Sequence, residues 1–382
     1  MSRRCLTCLL FALLAVGCGG DQVPTGAGRD RLLLGSLAKL DGDAAQAVGM
    51  INGVEMAIRE YNENPDSRYQ IQLERRNTRG TPEGTDAASQ DLARTERLVG
   101  VVGPFTDDEV EVAAPILERA GIPFLVPTVS TDSVPSSERG VFRRLIPSDR
   151  QEGQALAALI AGQVSGGIGI FRQEGDRGES FEAGAKQAIE ALKRPVSRSE
   201  VIRSRQNFGA LANSVIQAPP DAVLYGGAGD VGKALFDALR QAGYRGLFIA
   251  SHELREVHRQ GVGPGVIGSS LAADPSDSAV RAFASEYRRR FGTAPVPFAL
   301  EAYEGAVMIL EAVEEVEGNP SAVAQFLRLN RSFLGDSKMY EYDPSGSGEL
   351  VNPPVWIYES VAGGWRLTGR SDRLQRRAPA RG

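Results

Sequence analysis

Two short stretches bring hydroxyl groups and backbone donors together, Phe105-Thr106-Asp107 and Thr128-Val129-Ser130. Each follows a short apolar run, Leu98 to Val102 and Ile122 to Val126, of the kind that forms a strand buried on both faces. After the first comes helical spacing, with Val110, Ala113, Ala114, Leu117 and Ala120 on one face. A hydroxyl beside the unpaired N–H groups at a helix start can hold an anion without a full opposing charge. The same hydroxyls can also serve only as caps, and Thr106 or Asp107 is placed to do so.

Other chemistry is poorly served. The histidines are His252 and His258, and the three cysteines all lie at or before Cys18, so no zinc site with the usual ligand spacing can be drawn. No metal and no cofactor is expected. There is no G-x-S-x-G elbow. The acidic pairs Asp107-Asp108 and Glu314-Glu315 fall at helix starts or on exposed faces, so no catalytic set forms and no enzyme is expected. Gly227-Ala228-Gly229-Asp230-Val231-Gly232 matches G-x-G-x-x-G and follows a strand. It lies late in its unit, however, and Ser251-His252-Glu253 stands where an acid should follow about 20 residues on. A dinucleotide-dependent enzyme is therefore a rival reading only. The glycines suit the approach of a helix start to a ligand or to another part of the fold.

The elements that must position these loops alternate from residue 31. Strand 31–40 is followed by a helix with Val48, Ile51, Val54, Ile58 and Tyr61 on one face, strand 69–75, and a helix opened by Thr81-Pro82. After the two polar loops the pattern restarts near Phe142 to Pro147. Ser148 and Gln151 form a capping box for a helix carrying Leu156, Leu159, Ile160 and Val164. Strands at 167–171, 196–203, 221–225 and 246–250 then alternate with helices at 179–192, 208–217 and 230–242. A strand at 266–271, helices at 276–291, 298–317 and 320–329, and strands near 338–342 and 354–360 complete the chain. The fold class expected is α/β, two Rossmann-like lobes joined by a three-strand hinge. One lobe would comprise residues 31–147 plus 273–336 and the other 148–272 plus 337–369, with crossings near 147, 272 and 336. In such sheets ligands bind beyond the carboxyl ends of the strands.

Residues 1–18 read as a lipoprotein signal. Arg3 and Arg4 precede the apolar run Leu6 to Val16, which is shorter than the about 20 residues needed to cross a bilayer. Leu14-Ala15-Val16-Gly17-Cys18 resembles a lipobox, with Cys18 the lipidated residue; an ordinary secretory signal is the alternative. Residues 19–30 suit a flexible tether and 370–382 a disordered basic tail. The exported part would hold no disulfide. A formal net charge of −5 argues against nucleic acid as a partner.

These features together resemble the type I periplasmic solute-binding proteins of ABC transporters, in particular the branched-chain amino acid (Leu/Ile/Val) receptor group. The resemblance rests on GSLAKLDGDAAQAVGMINGVEMAIREYN, VVGPFTDDEVEVAAPILERAGIPFLVPTVSTD, FRRLIPSDRQEGQALA, AVLYGGAGDVGKALFDALRQAG and ALEAYEGAVMILEAV, in that order, and covers most of residues 31–367. It implies two lobes closing on a ligand by hinge motion. It also implies a protein lipid-anchored on the outer side of the cytoplasmic membrane or periplasmic, acting as a monomer with an ABC permease. A sensor of the same fold, signalling to a membrane kinase, is the alternative. In the family the ligand's α-carboxylate is held at places that fall on Phe105, Thr106 and Asp107 and on Thr128, Val129 and Ser130. The second lobe supplies aromatic residues and an acid for the amine, at places that fall near Asp176 and Arg177, on Ala228 and Gly229, and on His252 or Glu253. The family's serine is Asp107 here, and its two tyrosines are Arg177 and Ala228. Either Asp107 turns away to cap its helix, or the ligand carries more positive charge than leucine.

Overall fold

A computed structural model describes residues 29–132, 141–203 and 206–377. The lipobox and Cys18 lie outside the described residues. Among those described, no helix is long and apolar enough to cross a membrane.

The first unit runs β1 (Asp30–Ala38), α1 (Ala45–Glu63), β2 (Tyr69–Asn77), α2 (Pro82–Ala93), β3 (Leu98–Val102), α3 (Asp107–Ala120), β4 (Phe124–Val126) and β5 (Phe142–Arg144). Its strands form a parallel sheet in the order β2-β1-β3-β4-β5. All of β3 and β4 is buried, as strands covered on both faces must be. Helix starts follow local chemistry. Thr81 Oγ accepts from the Gly84 N–H with Pro82 in the first turn, and Thr106 Oγ accepts from the Glu109 N–H.

The second unit runs α4 (Asp149–Ala161), β6 (Ile168–Gln173), α5 (Asp176–Ala191), β7 (Val196–Ile202), α6 (Phe208–Gln217), β8 (Ala222–Gly226), α7 (Gly229–Gln241), β9 (Leu247–Ala250), α8 (His252–Val257) and β10 (Val266–Ser270). The Ser148–Gln151 capping box opens α4. Here the parallel strands run β7-β6-β8-β9-β10, the same winding as in the first sheet.

The chain then returns to the first lobe with α9 (Arg281–Phe291), α10 (Ala299–Glu315) and α11 (Pro320–Leu329). Helix α10 lies on α1 so closely that a Cβ on Gly53 would meet the Ala299 carbonyl oxygen at 2.2 Å. A small ribbon, β11 (Ser332–Leu334) with β12 (Met339–Glu341), precedes β13 (Trp356–Val361) and β14 (Gly364–Arg370), and α12 (Ser371–Arg377) ends the described chain. Both β13 and β14 extend the second sheet, antiparallel beyond β10.

The structure differs from the sequence expectation at the C-terminus. Arg370 does not begin an unstructured tail. It closes β14, its guanidinium donates to the Ser337 carbonyl at 2.5 Å, and it pairs with Asp372 at 2.9 Å. The arginine-rich composition concealed a strand whose alternation is too short to stand out.

Two acids of α10 hold the crossings between lobes. Glu301 accepts from the Ala273 N–H at 2.7 Å. Glu304, one turn on, accepts from the Ser337 N–H and hydroxyl, both at 2.8 Å, and from the Tyr340 hydroxyl. Lys338 lies buried beside them, its Nζ 3.9 Å from Glu301 and over the rings of Tyr340 and Trp356.

Candidate functional site

The loops after β3 and β4 meet as expected, but most of their polar groups are committed to each other. The Phe105 N–H donates to Glu109 Oε2 at 3.3 Å, and the Phe105 carbonyl accepts from Thr128 Oγ at 2.9 Å. Thr106 is exposed and spends its hydroxyl as the cap of α3. Val129 is a core side chain, 1% exposed, whose carbonyl accepts from Arg144. Arg144 also donates to the Thr131 carbonyl at 2.8 Å and pairs with Glu349 at 2.8 Å, which fixes this loop.

Asp107 does not serve as the cap. Its half-buried carboxyl bonds to Thr131 and lies in the field of Arg177, Asp149 and Arg144. Burial raises its pKa; Arg177 works against that and Asp149 adds to it.

Arg177, in the first turn of α5, is the hub. Its Nη2 donates to Ser130 Oγ at 2.8 Å, its Nε donates to Asp149 Oδ2 at 3.2 Å, and its Nη1 lies 3.2 Å from Glu253 Oε1. Ser130 in turn donates to Asp149 Oδ1 at 2.9 Å. Arg177 therefore links the β4 loop of the first lobe to α4 and α8 of the second. Glu253 is partly open to solvent, and burial raises its pKa against the pull of His252 and Arg177.

His252 and Glu253 open α8 rather than lie in a loop, and they face different surroundings. The His252 imidazole is 7% exposed, with Nδ1 2.9 Å from Glu152 Oε2. Its backbone N–H donates to Glu152 Oε1 at 2.8 Å, where Ser269 Oγ also donates, at 2.5 Å. Burial disfavours the imidazolium, but Glu152 outweighs it and raises the His252 pKa to about 10. Of the two candidates, Glu253 is the one beside Arg177.

The G-x-G-x-x-G run is a packing device. A Cβ on Gly229 would meet the Glu253 carbonyl at 2.4 Å, and one on Gly232 would meet the Tyr225 ring at 2.6 Å. The Ala228 N–H donates to Gln173 Oε1 at 2.7 Å. The glycines therefore admit α8 and a tyrosine of their own lobe, not the other lobe.

Sequence reasoning missed Asp149, Glu152 and Arg144. Glu152 falls one turn before Leu156 on the apolar face of α4, and an acid on such a stripe is a readable signal. Asp149, Glu152 and His252 bring potential ligand atoms within 4.8 Å of one another. Both oxygens of Glu152 and both of Asp149 already have protein partners, so these residues form a hydrogen-bonded ion pair beside Arg177.

Two doubly wound lobes, three crossings and polar loops at the strand ends define a type I binding-protein fold, one of non-catalytic binding proteins. Residues 33–339 match the periplasmic binding protein family, and the chain belongs to it. No curated protein matches the sequence. Among solved structures, the ABC transporter substrate-binding protein from Desulfitobacterium hafniense in complex with Leu is similar at 20% identity. It has a TM-score of 0.73, over 88% of this chain and 100% of that one. A branched-chain amino acid transporter substrate-binding protein from Streptococcus pneumoniae, in complex with isoleucine, is 15% identical with a TM-score of 0.69, over 89% and 99%. An ABC transporter solute-binding protein from Rhodopseudomonas palustris, in complex with 3,4-dihydroxybenzoic acid, is 16% identical with a TM-score of 0.68, over 89% and 97%.

Proposed function

We propose that this chain is the extracytoplasmic receptor of an ABC importer, held to the membrane by lipid at Cys18 and acting as a monomer. It takes a small polar, amine-bearing ligand, an amino acid or a related amide or amine, between its lobes and presents the closed form to the permease. The observation that carries this is Arg177 reaching from α5 to Ser130 at 2.8 Å, which brings side chains of both lobes to one point. Relatives bound to leucine and isoleucine support an amino-acid-like ligand. On this reading the residues that meet the ligand are Asp107, Ser130, Arg177 and Glu253, with Thr106 and Thr128 bordering them.

Small-angle scattering of the protein with saturating ligand should show a smaller radius of gyration than without. An identical profile would contradict the receptor mechanism. Cys18→Ala should abolish lipid labelling of the precursor; unchanged labelling would remove the anchor from the proposal.

A further inference from the structure

We infer that the ligand is a net cation without a carboxylate, such as a diamine or a guanidinium-bearing amine, held between Asp107 of the first lobe and Glu253 of the second. This deepens the importer reading and rests on it.

Two independent observations lead here. The first is the fate of the donors. A zwitterionic amino acid or an aromatic acid needs hydroxyl and N–H donors for its carboxylate. The Thr106 hydroxyl is turned to its own helix, the Thr128 hydroxyl to the Phe105 carbonyl and the Phe105 N–H to Glu109. The next two N–H groups of α3 belong to residues that carry carboxylates themselves, Asp107 and Asp108. Arg177 directs Nε, Nη1 and Nη2 to Asp149, Glu253 and Ser130, and Arg144 is turned to the Val129 and Thr131 carbonyls and to Glu349. An incoming carboxylate that sought either guanidinium would have to displace one of these partners.

The second is the charge balance. Three carboxylates, Asp107, Asp149 and Glu253, surround Arg177, while the neighbouring Glu152 and His252 neutralise each other. Arg144 is matched by Glu349. Among the described residues the site is thus two positive charges short, and the deficit is shared between the lobes. Half-buried anions without compensation are costly, and an added cation supplies what they lack. Burial raises the pKa of both Asp107 and Glu253, and these two, one on each lobe, mark where that deficit lies.

The test is a thermal-shift and titration-calorimetry panel on the purified full chain, with putrescine, agmatine, lysine, arginine, leucine and benzoate. Putrescine or agmatine should bind at least about tenfold tighter than leucine or benzoate, a difference of about 1.4 kcal/mol. Asp107→Ser should weaken the preferred cation by a similar factor. If leucine or benzoate binds best, the charge inference falls and the importer reading stands. If lysine binds better than putrescine, and arginine better than agmatine, a carboxylate subsite exists and the inference is again overturned. If no probe binds, both this inference and the amine-receptor reading fail. An Asp107→Ser protein that holds the cation as tightly as the parent removes Asp107 from the site.

Discussion

Charged groups gather at two of the places where the lobes meet, the hinge and the cleft, and the two clusters differ in how much water they see. At the hinge, Lys338 and Glu301 have side chains 1% exposed, and Glu304 is 3% exposed. Burial there raises the pKa of both acids and lowers that of the lysine, each against the pull of its partners. At the cleft, Arg177, which reaches Ser130 of the other lobe, is 43% exposed and Glu253 23%, while Asp149 beneath them is buried. A buried ion pair is hard to break, because the partner left behind keeps its desolvation cost. An exposed one contributes little and can be exchanged for a ligand group. The first suits a fixed pivot and the second a contact remade at each cycle.

The sharpest way to break this contrast is at the hinge. Lys338→Met leaves Glu301 and Glu304 uncompensated and should cost about 3–5 kcal/mol of stability, read from the denaturant midpoint. Arg177→Met should cost less, because Arg177 and Glu253 reach water and Asp149 keeps its hydrogen bond from Ser130. Equal losses would mean that the two clusters do the same work. Binding should reverse the ranking. Glu253→Gln, near neutral for stability, should weaken cation binding at least about 30-fold, as the loss of one partner of a hydrogen-bonded charge pair implies. Parent-like affinity would show that Glu253 does not hold the ligand.

Dependence on pH offers a finer distinction. The folded pKa of His252, raised to about 10 by Glu152, lies above the ordinary value of about 6.5. Its contribution is therefore fully present below about 6.5 and lost as pH rises through about 10. Melting temperature should decline over that window, and His252→Gln should flatten the decline. The cleft should respond in the opposite range. Asp107 and Glu253, with Arg177, Asp149, Arg144 and the His252–Glu152 pair around them, have raised pKa values, and a bound cation favours their ionised forms. Affinity should then fall as pH drops through their range, by at most about tenfold per pH unit for each proton released. A flat binding profile would separate these carboxylates from the ligand.

Much of the architecture was legible because strands buried on both faces and helices with one apolar face leave periodic marks. The Thr81-Pro82 start and the Ser148–Gln151 box were readable residue by residue. Among the elements that escaped, two show the physical reason plainly. Helix α8 has six residues, too few for a period to show, and β14 mixes arginines into a short edge strand. The loops of the candidate site were also found from the sequence. What their side chains do was not legible, because a hydroxyl such as that of Thr128 has the same sequence context whether it meets a ligand or a neighbouring carbonyl. Arg177 as hub depends on Ser130, Asp149 and Glu253, residues far apart along the chain, which no local pattern relates.

The clasp at the C-terminus has a consequence for the order of events during biogenesis. Arg370 secures the Ser337 carbonyl at the third crossing, and Ser371 exchanges backbone and side-chain hydrogen bonds with Val355. A chain made from its N-terminus can pair β1 to β5 early, yet the pivot lacks its last fastenings until residues 370 and 371 are free of the ribosome. Nascent chains halted a few residues before that point should hold two sheets whose relative orientation is still loose, and a protease would cut them between the lobes faster than it cuts the finished protein.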